Sequence, residues 1–193
     1  MDELIETTEI IEPEQEQEPD KKPKKKENSL WSWVKCILFA VVLAWVITHV
    51  VIVNAEVPTG SMIDTIMPKD RIVAFRLAYL VAGPQRGDIV VFKYPDDESQ
   101  LFIKRVIGLP GDTIEGKNGL VYINDEPLDE DYTDGQKVVP FGPYEVPENS
   151  YFMMGDNRNG SWDSRYWENK FVSKDKILGK ALFRYYPSIS ALH

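Results

Sequence analysis

A chain of 193 residues carries 31 acidic and 22 basic side chains, a formal charge of −9, and 43% hydrophobic residues. That charge speaks against a general nucleic-acid binder, which needs a basic face, and a single cysteine, Cys36, excludes an intrachain disulfide and a multi-cysteine zinc site. The two histidines, His49 and His193, leave almost no imidazole for acid–base chemistry near neutral pH.

Charge divides the chain into three parts. Residues 1–30 form an acid-rich then lysine-rich tail punctuated by Pro13, Pro19 and Pro23. It has little apolar material to bury, so it reads as a disordered tail. Next comes WSWVKCILFAVVLAWVITHVVIVNA, residues 31–55, in which 20 consecutive residues from Cys36 to Ala55 carry no Asp, Glu, Lys or Arg. At ~1.5 Å per residue that run covers ~30 Å, the thickness of a bilayer core. It reads as a single transmembrane helix, with Trp31 and Trp33 suited to the interface. A cleaved signal peptide is the rival reading; the long tail before the run and the length of the run argue against it. Six lysines precede the uncharged run and the next base after it is Lys69. The positive-inside rule therefore expects a cytoplasmic N-terminus and an extracytoplasmic C-terminal part. His49 inside the span reads as a neutral histidine facing the interface rather than a functional group. Cys36 reads as an inert thiol rather than an acylation site.

Residues 56–193 read as one outer β domain. Candidate strands fall at 71–75, 88–94, 101–108, 120–124, 151–154 and 178–185, rich in Val, Ile, Phe and Tyr and separated by GPQRGD, PDDESQ, LPGD and KNG turns. One short helix is expected near 76–81. The fold class is mainly β, antiparallel sheets tethered by a single N-terminal transmembrane helix.

This domain contains no cysteine, and its only histidine is the terminal His193. A Ser-His-Asp triad and histidine metal sites are poorly served by it, so a hydrolase here would use Lys or a carboxylate as base. Ser61 follows Val57-Pro58-Thr59-Gly60, close beyond the span. Lys104 interrupts the apolar run LFIKRVIGL and by alternation shares a face with Phe102 and Val106. A lysine on such a face loses hydration, which lowers its pKa toward the range a general base needs. Pattern alone leaves a turn serine and a lysine snorkelling from a sheet edge as open readings. The segment GDNRNGSWDSRYW, residues 155–167, is a loop dense in hydrogen-bonding groups with an Asp163–Arg165 ion pair as its plainest reading. The RGD at 86–88 runs straight into a strand, which speaks against adhesion, and the sequon Asn159-Gly160-Ser161 falls inside the polar loop.

Four blocks together resemble the type I signal peptidases, membrane-bound Ser-Lys proteases that remove signal peptides from exported proteins. They are VPTGSMIDTIMPKDRIV (57–73), RGDIVVF (86–92), KRVIGLPGD (104–112) and GDNRNGSWDSRYW (155–167), in the family's order after one N-terminal span. The resemblance implies Ser61 as nucleophile, Lys104 as general base, and Thr59 with the Ser61 N–H as the oxyanion hole. It implies that Ser161 hydrogen-bonds and orients Lys104, that Asp156, Asp163 and Arg165 hold the loop, and that Arg105 pairs with Asp156. It implies no metal or organic cofactor. The implied partners are the lipid bilayer and membrane-inserted preproteins with small residues at the first and third positions before the cut. Asp64 stands where the family usually has Pro, and Asn159-Gly160 replaces a more usual Asp-Asn pair. Residues 113–154 and 168–193 match no family motif. Two rivals are a self-cleaving Ser-Lys repressor-type protease, which the span disfavours, and a non-catalytic anchored β domain that binds exported partners.

Overall fold

The computed structural model describes residues 29–193, so the expectation for the tail, up to residue 28, lies outside the described residues. The described chain falls into two compact units, one ending at Phe39 and one running from Ala40 to His193. Helix α1 (Ser29–Val46) continues as a wider turn at Ile47–Val51. The apolar stretch Leu30–Val51 is 22 residues, and none of its 18-residue window is buried. A helix that is apolar all round and buries nothing matches an apolar solvent, and at 1.5 Å per residue its reach is about 33 Å. His49 is locally satisfied: its ring stacks on Trp45 with centroids 5.1 Å apart, and its Nδ1 lies 3.0 Å from the Trp45 carbonyl oxygen.

The helix stops earlier than the expected residue 55. Strand β1 (Ile52–Glu56) takes over, because its backbone finds a ladder in β2 (Arg71–Phe75), from Ile52 opposite Phe75 to Glu56 opposite Arg71. The remaining strands are β3 (Ile89–Tyr94), β4 (Asp97–Gly108), β5 (Thr113–Lys117), β6 (Leu120–Ile123), β7 (Glu126–Pro127), β8 (Phe141–Glu145), β9 (Ser150–Met154), β10 (Phe171–Ser173), β11 (Ile177–Tyr186) and β12 (Ser190–Ala191). They form two antiparallel sheets. The larger runs β1-β2-β11-β3-β4-β9-β10, with β12 paired to β11, and the smaller runs β7-β6-β5-β8. The helix expected at 76–81 is a single 3₁₀ turn, Arg76–Tyr79. Gly83 and Pro84 close behind it give the chain no room to continue one.

Burial on both faces explains the apolar runs. In β3, Ile89 and Val91 enter one core with Ile72, Ala74 and Ala181, while Val90 and Phe92 enter another with Val106, Met153 and Trp167. Strands covered on both sides read as continuous rather than alternating apolar sequence. β9 does the same, sending Tyr151 and Met153 to that second core and Phe152 and Met154 to a third that fills the smaller sheet. Gly108 sits where the sheets meet, and a Cβ there would collide with Ile114.

The RGD segment is a structural clamp. Asp88 is buried and accepts from Tyr79 OH at 2.8 Å, Gln85 N–H at 3.0 Å and Lys180 Nζ at 2.6 Å. Arg86 pairs with Asp112 at 3.0 Å. Burial, together with the Asp88 carboxylate, pushes the Tyr79 phenol well above its ordinary pKa. Asp88→Ala should cost about 1–3 kcal/mol by stranding these donors. It is expected to lower the thermal unfolding midpoint measured by circular dichroism in detergent.

Candidate active site

Ser61 lies on the connection between β1 and β2. Backbone bonds close that connection at its base, Val57 N–H to Asp70 O at 2.9 Å and Lys69 N–H to Val57 O at 2.7 Å. Met62 and Ile66 point into the core at 1% and 0% exposure. Anchoring these apolar side chains fixes the turn and holds Ser61, 7% exposed, at the wall of a cleft. Lys104 comes from β4, opposite Val90 of β3, and is 4% exposed. Its Nζ lies 2.6 Å from Ser61 Oγ and 3.2 Å from the Ile103 carbonyl oxygen. The amine also sits 5.3 Å from the centre of the Phe102 ring, the same-face neighbour that alternation assigns to it. Burial pulls the Lys104 ammonium down to about 8, against an opposing pull from Asp163 and Asp156.

The polar loop 155–167 is built on two buried guanidinium–carboxylate forks. Arg105 Nε donates to Asp156 Oδ1 at 2.8 Å and its Nη2 to Oδ2 at 2.7 Å. Arg165 Nε donates to Asp163 Oδ1 at 2.8 Å and its Nη2 to Oδ2 at 2.8 Å. Asp163 also accepts the Gly155 N–H at 3.0 Å, and Asp156 accepts Thr65 Oγ1 at 2.6 Å. Each carboxylate thus ties the loop to itself or to a neighbouring segment with charge-assisted bonds. Asp64, the departure close to Ser61, is exposed, and Thr65 next to it bonds to Asp156.

Thr59 Oγ1 lies 3.5 Å from Ser61 Oγ, and both line the cleft. The expected Ser161–Lys104 hydrogen bond is not formed. Ser161 Oγ is buried without a partner among the described residues. It packs instead against Gly155, where a Cβ would collide with both Ser161 Oγ and Ser61 O. The absent side chain at Gly155 is what lets Ser161 sit there.

Sequence reasoning missed Asn157. Its Nδ2 donates to Gly60 O at 2.9 Å and its backbone N–H to Ser61 O at 3.2 Å, so the loop grips the serine turn directly. An Asn directly after Asp156 in a polar loop was the available signal. It also missed the Arg158 fork to Glu130 and the place of Trp162 in the cleft wall, where Nε1 donates to Tyr94 OH at 3.2 Å.

The cleft has a volume of about 520 Å³. One wall is residues 54–59, the other residues 100–104, with Met62, Val91 and Trp162 between them. Both walls are extended backbone. β1 is an edge strand of the sheet, and β4 meets β9 only from Arg105 onward, so its cleft-side stretch has β3 alone as partner. A serine and a lysine in contact at the bottom of such a groove have the parts of a serine hydrolase centre that needs no histidine.

A model described as "Signal peptidase, peptidase S26" matches residues 30–186, and the chain belongs to that family. It is 39% identical over 172 residues to the probable signal peptidase I-2 of Synechocystis sp., covering 86% of this chain and 78% of that one. It is 38% identical over 173 residues to signal peptidase I S of Bacillus subtilis, covering 84% and 92%. A crystal structure of a signal peptidase I from Enterococcus faecalis is similar with a TM-score of 0.46 and 36% identity, covering 50% of this chain and 95% of that one.

The Arg105–Asp156 fork is at 2% and 0% side-chain exposure. Asp156→Ala strands a buried guanidinium, a loss of about 3–5 kcal/mol. The variant should unfold at a clearly lower denaturant midpoint than wild type, followed by tryptophan fluorescence.

Proposed function

We propose that this chain is a membrane-anchored serine endopeptidase that removes N-terminal signal peptides from exported preproteins, with Ser61 as nucleophile and Lys104 as general base. The observation that carries the reading is the buried 2.6 Å contact between Lys104 Nζ and Ser61 Oγ. In the neutral state the amine takes the Ser61 proton as Oγ attacks the scissile carbonyl carbon. The oxyanion that forms meets the Ser61 N–H and the Thr59 hydroxyl, donors aimed where charge develops. The lysine ammonium then gives its proton to the departing amine, leaving an acyl-enzyme. A water, deprotonated by the same amine, attacks the ester, and Ser61 recovers its proton as the acid product leaves. Asp156, Asp163, Arg105 and Arg165 act as the frame of the loop behind the dyad.

The preprotein enters as an extended strand between the two walls of the cleft, adding backbone hydrogen bonds to whichever edge is open. The resemblance implies small residues, typically Ala, at the first and third positions before the cut. Residues 1–30 form the cytoplasmic tail, the apolar helix crosses the membrane, and the peptidase domain lies on the extracytoplasmic face. The lysines before the uncharged run support that orientation.

The reading is tested on a preprotein with the enzyme in detergent or vesicles. Ser61→Ala should abolish cleavage. Lys104→Arg should be as inactive as Lys104→Ala, since arginine does not release its proton in a protein. Only the neutral amine serves as base, so the wild-type rate should rise with pH and reach half its maximum near 8, where burial holds Lys104. A free lysine would place that point at ~10.4. Near-wild-type rates in Lys104→Arg would show that charge alone suffices and would overturn the general-base role.

Orientation is checked separately. In sealed inner-membrane vesicles of right-side-out orientation, added protease should digest the peptidase domain and spare a tag at Met1. Digestion of the tag with a protected domain would reverse the topology and remove the signal-peptidase reading.

A further inference from the structure

A short 3₁₀ turn, Asp131–Thr133, begins beside the loop 155–165. Glu130, at the start of that turn, receives both ends of one guanidinium. Arg158 Nη1 donates to its Oε2 at 2.7 Å and Arg158 Nη2 to its Oε1. Tyr132 OH donates to Glu130 Oε1 at 3.1 Å, and its ring lies under the Arg105 guanidinium, 4.0 Å from ring centre to Cζ. The fork is largely buried: Arg158 and Glu130 are at 1% and 10% side-chain exposure. Burial beside Glu130 raises the Tyr132 phenol well above its ordinary pKa.

What these groups hold lies next to the reacting atoms. Arg158 Nε donates to Gly155 O at 3.0 Å, and Arg158 O accepts Arg165 Nη2 at 2.8 Å. Gly155 lies against Ser61 O and Ser161 Oγ so tightly that no Cβ would fit. Arg105, over the Tyr132 ring, is the residue after Lys104 and the partner of Asp156. One acid and one phenol therefore fix two guanidiniums, and those fix the backbone on either side of the Ser61–Lys104 contact.

We propose that Glu130 and Tyr132 are positioning residues for the peptidase reaction, holding the loop 155–165 against the serine turn through Arg158 and Arg105. The proposal rests on the Ser61–Lys104 reading. A buried ion pair is a poor source of net stability compared with apolar packing. A two-pronged arginine–carboxylate fork does fix direction and distance. That is what a catalytic loop needs, where a displacement of about 1 Å costs on the order of 100-fold in rate.

The test uses the full chain in detergent micelles with a peptide spanning a signal-peptide cleavage site, and compares Glu130→Gln and Tyr132→Phe with wild type and with Lys104→Ala. In Glu130→Gln, kcat should fall about 10- to 100-fold with KM little changed. The pH profile should move as well. Asp163 and Asp156 raise the Lys104 pKa. A slack loop draws those carboxylates away and leaves Arg158 without its counter-charge, and both disfavour the ammonium. Burial, the larger influence on Lys104, is relieved in the other direction when a slack loop admits water, so the midpoint of the rising limb should leave its wild-type position near 8 as the rate falls. A role in stability alone predicts a lower melting temperature, with kcat per folded molecule and the pH midpoint both at wild-type values. That result in Glu130→Gln overturns the proposal. Should Glu130→Gln fail to fold, Tyr132→Phe decides. It keeps the ring under Arg105 and removes one hydrogen bond, so kcat should fall by about 3- to 10-fold with a displaced pH midpoint, and wild-type kinetics would overturn the role. Wild-type rates in Lys104→Ala would instead overturn the dyad reading, and this role with it.

Discussion

Lys104 keeps its amine 2.6 Å from Ser61 Oγ in a place from which water is nearly excluded, and an ammonium there has lost most of its hydration. The neutral form is correspondingly favoured. Every other charged group near the dyad has to respect that condition. An unpaired carboxylate beside the amine would favour its charged form. Asp156 and Asp163 each stand in a fork with a guanidinium, Arg105 and Arg165. Their pull on Lys104 remains, but it does not outweigh burial. The forks thus have two consequences at once: they shape the loop and they keep its net charge near zero where the amine can sense it.

Balance of this kind has to be geometric as well as electrical. A fork that rotates delivers its charge to a different place. The loop 155–165 is accordingly tied at several points that differ in direction. Asn157 holds Gly60 O and Ser61 O, Thr65 holds Asp156, and Arg158 carries Gly155 O. Gly155 itself has no side chain because Ser61 O and Ser161 Oγ occupy the space one would need. A single methyl group at that position would push the Ser61 carbonyl, which is why a glycine there is a matter of contact and not of backbone freedom.

Much of this could be read from the chain alone, for identifiable reasons. Strands such as IVVF are buried on both faces and announce themselves as unbroken apolar runs. Lys104 stood out because a charge inside such a run is costly without a use for it. Strand β8 was hidden by Gly142 and Pro143, which read as breakers, and it survives as an edge strand of the smaller sheet, where proline is tolerated. β1 was hidden by continuity: Ile52, Val53 and Ala55 extend the apolar composition of the helix, and only pairing with β2 ends it. Ser161 was assigned to Lys104 by the family resemblance, and its actual contact with Gly155 depends on tertiary packing that no local pattern encodes. Glu130 and Tyr132 lie in DEDYTDG, which reads as a solvated acidic loop. Their partner Arg158 is 28 residues away, and nothing local to either distinguishes a buried fork from a surface charge.

The junction at residue 51 gives the anchor a mechanical meaning. The wide turn Ile47–Val51 passes into β1 with no linker between them. Arg76 closes the join by donating from Nε to Ile52 O at 3.2 Å, and β1 is locked to β2 along its whole length. From Ile52 the chain reaches Ser61 in nine steps, a span of at most about 30 Å even when fully extended. A flexible tether would let Ser61 wander over a volume set by its length. A strand hydrogen-bonded along its whole length to β2 does not, so the place of Ser61 beside β2 is set by the ladder and not by the length of chain before it.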